Sequence, residues 1–96
     1  MWTVATAADE SLDLVGQTSQ ALCILETSLA ELGSDKTRIV SAQVYIANIK
    51  DKPIMDEVWK DWIGSNPEHW PQRACLGVDL GGHWLIEVTV TAVRQI

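Results

Sequence analysis

The chain has 96 residues, 47% of them apolar and five of them Trp, which fits one domain whose small core leaves apolar surface for burial between subunits. Its 13 acidic and 7 basic residues give a net charge of −6, which argues against nucleic acid or an anionic membrane as partner, since both draw on clustered Lys and Arg. No apolar run approaches the roughly 20 residues that span a bilayer, residues 1–5 lack the pattern of a secretion signal, and two Cys are too few for a disulfide framework or zinc site, so cytoplasmic residence with reduced thiols is expected.

The first element is a short strand over Trp2 to Ala7, β-branched and alternating. Residues 8–11 read as a loop. From Leu14 to Leu32 the period is helical: Thr18, Leu22, Leu25, Leu29 and Leu32 recur at spacings of four and three, and Ala21 and Ile24 widen the stripe. Asp13 is placed to cap this helix and Gly33 to stop it. Arg38 to Ile49 alternates as a strand, with Val40, Ala42, Val44 and Ile46 on one side and Ser41, Gln43 and Tyr45 on the other.

Asp51 then reads as an N-cap with Pro53 in the first turn of a second helix. Its apolar face is Met55, Val58, Trp59 and Trp62, and Gly64 to Pro67 ends it. A loop with two Pro and Trp70 leads to a strand over Arg73 to Leu80. Its Ala74, Leu76, Val78 and Leu80 are assigned to the core, its Arg73 and Cys75 to the other face. After the turn Gly81-Gly82-His83, the last strand runs from Leu85 to Val93, with Ile86, Val88, Val90 and Ala92 inward and Glu87, Thr89 and Thr91 outward. The order β-α-β-α-β-β predicts an α+β domain over residues 1–96: one mixed sheet with two helices on one face.

The strongest constellation is Arg73, Cys75 and Glu87. Alternation puts all three on the non-core sheet face, whether the last two strands form a hairpin or stand apart in the sheet. A guanidinium grips a carboxylate through a planar fork, and a nearby carboxylate can hold and activate a water. An interface ion pair beside an inert buried Cys explains the same residues. His69 and His83 lie in separate loops without metal-ligand spacing, and read as solvated. Trp59 and Trp62 read as core. Trp70 and Trp84, in loops beside the proposed site, remain open as pocket walls.

Several segments together resemble the Rid family, also called YjgF/UK114. Gly16-Gln17-Thr18 resembles its GQT segment, residues 32–40 its helix–turn–strand passage, and Met55-Asp56-Glu57-Val58-Trp59 its second helix. Pro71-Gln72-Arg73-Ala74-Cys75 resembles its P-x-R-x-C signature, and Leu85-Ile86-Glu87-Val88 its closing strand. The ordered match runs over about residues 4 to 94. The resemblance implies a chorismate-mutase-like fold, a homotrimer, and clefts between subunits. It also implies that the final strand inserts between the first strand and the strand over Arg38 to Ile49. The implied activity is hydrolysis of reactive 2-imino or enamine acids to 2-keto acids and ammonia, with no metal and no cofactor. Arg73 and Glu87 become the catalytic pair, Arg73 gripping the substrate carboxylate and Glu87 positioning water; Cys75, Asp56 and Trp70 join Arg73 in substrate binding. Two departures stand out. The chain is N-terminally shortened against the family pattern, and Asp56 replaces the family's helix Asn, adding negative charge that opposes an anionic substrate. Two alternatives remain: a non-catalytic trimer binding small carboxylates in the same cleft, and an endoribonuclease.

Overall fold

The computed structural model describes residues 1–94; the last two residues of the domain expected over 1–96 lie outside the described residues. Four strands form one sheet: β1 (Trp2–Ala5), β2 (Ile39–Ile46), β3 (Gln72–Gly77) and β4 (Ile86–Ala92), in the order β1-β4-β2-β3. The helices α1 (Leu14–Glu31) and α2 (Lys52–Ile63) cover one face. Asp13 caps α1 as expected, its side chain accepting from the Gly16 N–H at 2.8 Å. Gly33 follows that helix at φ 79° and Gly64 follows α2 at φ 88°; only Gly takes such values without strain, so both helices stop where the sequence places them. Pro53 does sit in the first turn of α2, but Asp51 makes no side-chain cap.

The final strand does not form a hairpin with β3. β4 inserts between β1 and β2 and pairs antiparallel with both. This matches the placement implied by the family resemblance. β2 and β3 pair parallel, which requires a long crossover, and α2 with its flanking turns supplies it. A central place suits β4, because its Ile86, Val88 and Val90 are fully buried and both its edges find partners.

Packed beneath the helices are Leu22, Leu25, Leu29, Val44, Val88 and Met55. The inward sides predicted for β2 from Ala42 onward and for β4 hold. One exception is the start of β2. A register shift between Ile39 and Ser41 breaks the alternation there, so Ile39 is buried and Val40 is exposed. Leu32, expected on the apolar stripe of α1, lies past the helix end and is exposed. Ile63, absent from the expected core face of α2, is buried in it.

The assignment for β3 is overturned. Its register sets Arg73 opposite Ala42 and Cys75 opposite Val44, and those β2 residues face the helices. Arg73 and Cys75 therefore point to the helix side, whereas Ala74 and Leu76 lie with Gln43 and Tyr45 on the open face. Apolarity alone gives the opposite phase. At a sheet edge that signal fails, because the helix side of β3 meets polar groups of α2 while Leu76 is left 45% exposed on the other side. No helix among the described residues is long and apolar enough to cross a membrane.

A hidden tie holds the loops together. Gln17, completely buried in α1, donates through Nε2 to the carbonyls of Glu10, Leu12 and His83 at 3.2, 3.0 and 3.0 Å. Its Oε1 accepts from the Leu85 N–H at 2.8 Å. One side chain thus fixes the loop before α1 against the loop that feeds β4.

Candidate functional site around Arg73

α2 carries Lys52, Asp56 and Trp59 on successive turns, so all three line one helix face. That face lies over the start of β3. Lys52 Nζ donates to Asp56 Oδ2 at 2.7 Å, and Arg73 donates to Asp56 Oδ1 at 2.6 Å. The Arg73 guanidinium also sits 5.3 Å from the centre of the Trp59 ring, within cation–π range, and contacts Met55 Sδ at 3.8 Å. Burial pushes the Asp56 carboxyl up, but the hydrogen bonds and charges of Lys52 and Arg73 outweigh it and hold the group below its usual range. Asp56 does not stand free to repel an anion, as the sequence comparison had suggested: both its oxygens are occupied, and with Lys52 the trio keeps one net positive charge.

Beside these ions is a hollow of about 330 Å³, lined by Trp59, Ile63, Gly64, Trp70 and Pro71 together with the charged Arg73, Asp56, Glu57 and Lys60. Trp70 reaches it from the loop after α2. Its indole N–H donates to the Gly64 carbonyl at 2.9 Å, which holds an exposed ring in place. Trp84 does not belong here. It lines a separate hollow of about 430 Å³ with Glu10, Asp79 and His83.

The expected grouping of Arg73, Cys75 and Glu87 on one face is not found. Cys75 accompanies Arg73, but Glu87 pairs across from Tyr45 and so occupies the open face with Gln43 and Thr89. Within one chain the sheet separates Arg73 from Glu87. Glu87 is half-buried and joins none of the ion pairs among the described residues. Cys75 is half-buried, and desolvation pushes its thiol up despite the nearby Arg73 and Lys52 charges. A protonated thiol is a wall and not a nucleophile.

His83 is exposed, and among the described residues no cluster of three His, Cys, Asp or Glu could hold a metal. Gln17 is a structural residue that the motifs do not single out beyond its place in the GQT segment. Its signal was present: a Gln among Leu14, Thr18, Ala21 and Leu25 occupies a core position of the helical stripe, where a polar group needs partners.

The family model described as endoribonuclease L-PSP matches residues 4–94. A RutC family protein of Haemophilus ducreyi is 38% identical over 85 residues, covering 88% of this chain and 71% of that protein. A RutC family protein of Haemophilus influenzae is 31% identical over 77 residues, covering 79% of this chain and 65% of its own length. Among solved structures, a YjgF family member from Neisseria meningitidis superposes with a TM-score of 0.87 at 28% identity, covering 98% of this chain and 77% of that one. The mixed sheet with two helices on one face is the chorismate-mutase-like fold of these proteins. On this match the chain belongs to the endoribonuclease L-PSP family, the YjgF/UK114 or Rid family that its motifs resemble.

Proposed function

We propose that the protein hydrolyses reactive 2-imino and enamine acids to 2-keto acids and ammonia, in clefts between copies of a homotrimer. The observation that carries this reading is Arg73. It is anchored by Asp56 and Trp59, yet its side chain keeps 20% exposure at the end of a small hollow, with N–H donors left for a substrate carboxylate.

The opposite placement of Glu87 favours a cleft built from two copies. Two groups on opposite faces of one sheet act on one substrate only if they come from different chains. The open face supports such an assembly: Trp2, Val4 and Leu76 are 61%, 40% and 45% exposed there, an apolar surface that calls for cover.

In the reaction, Arg73 fixes the carboxylate and Glu87 of a neighbouring copy accepts a hydrogen bond from water beside the imine carbon. Water adds to the protonated C=N bond, the carbinolamine loses its C–N bond, and the products are a C=O group and ammonium. Each turnover consumes one water. The protein's part is orientation and proton handling.

Ammonia release from freshly generated 2-aminoacrylate or 2-iminobutyrate tests the reading. A rate above buffer that disappears in Arg73→Ala is expected; a buffer rate with the assembly intact would sink it. A second reading, a non-catalytic binder of small carboxylic acids, draws on the occupation of Arg73 by Asp56. It predicts that 2-keto acids raise the melting temperature through Arg73 with no ammonia released. An endoribonuclease is disfavoured by the net charge of −6, which repels a phosphate backbone.

A further inference from the structure

We infer that the hollow beside Arg73 is a side-chain pocket that selects acids with a large apolar tail, aromatic or branched, over the smallest ones. The inference rests on the carboxylate-gripping role proposed for Arg73 and names the substrate class that follows from what surrounds it.

The hollow joins an ion-paired cation to a broad apolar wall. Arg73 meets Asp56 in its lining, and Lys52 adds a further cation beside Asp56. The rest of the lining is Trp59, Ile63, Gly64, Trp70 and Pro71, with Glu57 and Lys60 adding one charge of each sign. A ligand that matches has one carboxylate at one end and an apolar body at the other. At about 330 Å³ the space sits at the low end of the roughly 300–1,000 Å³ typical of small-molecule sites. It takes one compact ring or branched chain and not a nucleotide or peptide.

Trp70 is the second observation. It is 54% exposed, yet its N–H is bound to the Gly64 carbonyl at 2.9 Å, so the indole is held in place and not free to fold onto the core. A large ring held at the mouth of a hollow presents a flat stacking wall. Trp59 lines the same hollow from α2 and is already engaged by the Arg73 cation. A two- or three-carbon acid would fill only the Arg73 end. A phenyl or isobutyl group also reaches the Trp walls and displaces the water between them.

Stable 2-keto acids serve as probes in titration calorimetry on the intact assembly. Phenylpyruvate is expected to bind about tenfold or more tightly than pyruvate, the scale on which an apolar pocket discriminates. Trp70→Ala is expected to remove most of that preference by weakening phenylpyruvate more than pyruvate, and Trp70→Phe to retain it. Arg73→Ala weakens both ligands. Equal affinities, no binding of either acid, or a preference untouched by Trp70→Ala would overturn the inference. Selective binding without ammonia release from any imine leaves the pocket standing and removes the hydrolase reading. Turnover of small imines without aromatic preference does the reverse.

Discussion

Asp56 and Arg73 meet at 2.6 Å between helix and sheet edge. The carboxylate aims the guanidinium and at the same time competes with any anionic ligand for it. Asp56→Asn is therefore expected to tighten 2-keto acid binding about three- to tenfold, the gain of one unit of charge in a partly solvated site. The same substitution is expected to cost about 0.5–1 kcal/mol of folding stability, as for a partly exposed pair. Calorimetric titration and urea unfolding measure the two effects separately.

The same pair sets an acid limit. Asp56 has a folded-state value below its usual 3.8, so its stabilising contribution is fully present above that value. As pH falls through the folded-state value, the carboxyl gains a proton and the contribution is lost. The stability gap between wild type and Asp56→Asn is expected to stay constant from neutral pH down to about pH 5 and to close below 3.8. Urea midpoints across that range would reveal it; a gap that widens in acid contradicts the assignment.

Gln17 satisfies four backbone groups from the protein interior. Gln17→Leu keeps most of the volume but strands those partners, at an expected cost of about 2–4 kcal/mol. Gln17→Glu should be no rescue, because a carboxylate cannot donate to the three carbonyls. Chemical denaturation checks both.

Leu76 lies on the open sheet face at 45% exposure, so Leu76→Glu touches little within one chain. Its effect on the stability of the single chain should stay within about 0.5 kcal/mol. Self-association is expected to fail, and ammonia release with it. Light scattering reads the assembly directly, and an unchanged assembly would move the interface elsewhere.

Because Arg73 and Glu87 occupy opposite faces, a shared cleft draws one from each copy. Arg73→Ala and Glu87→Gln are each expected to be inactive alone. Unfolded together in equal amounts and refolded, they should regain activity in roughly a quarter of the clefts, by random pairing around a closed ring. No recovery from a mixed assembly would place both groups on one chain's side of the cleft.

Some of this was legible in the order of residues. The stripe of Leu22, Leu25 and Leu29 identifies α1 and its buried side, because helix periodicity is local and 18 residues sample it many times. Asp13 and Gly33 mark its ends for equally local reasons. Alternation through Ala42, Val44 and Ile46, and through Ile86 to Ala92, gives the inner faces of β2 and β4, since an apolar core on one side leaves a clear phase. The P-x-R-x-C signature identified Arg73.

Strand order and the phase of β3 were decided only in three dimensions. Alternation states that Arg73 and Cys75 share a side but not which side. The answer lies in the parallel register with Ala42 and Val44, a contact some 30 residues away along the chain. Apolarity misled because β3 is an edge strand: α2 gives its inner side an Asp and a Trp to satisfy an Arg, and the open face keeps Leu76. Glu87, outward by the alternation of β4 and paired with Tyr45, then stands across the sheet from Arg73. The sequence by itself determined the two helices, the inner faces of β2 and β4, and the family motifs that single out Arg73 and Glu87. The tertiary structure decided that one chain does not bring Arg73 and Glu87 together, because strand pairing and helix cover, not local pattern, settle the face on which each side chain stands.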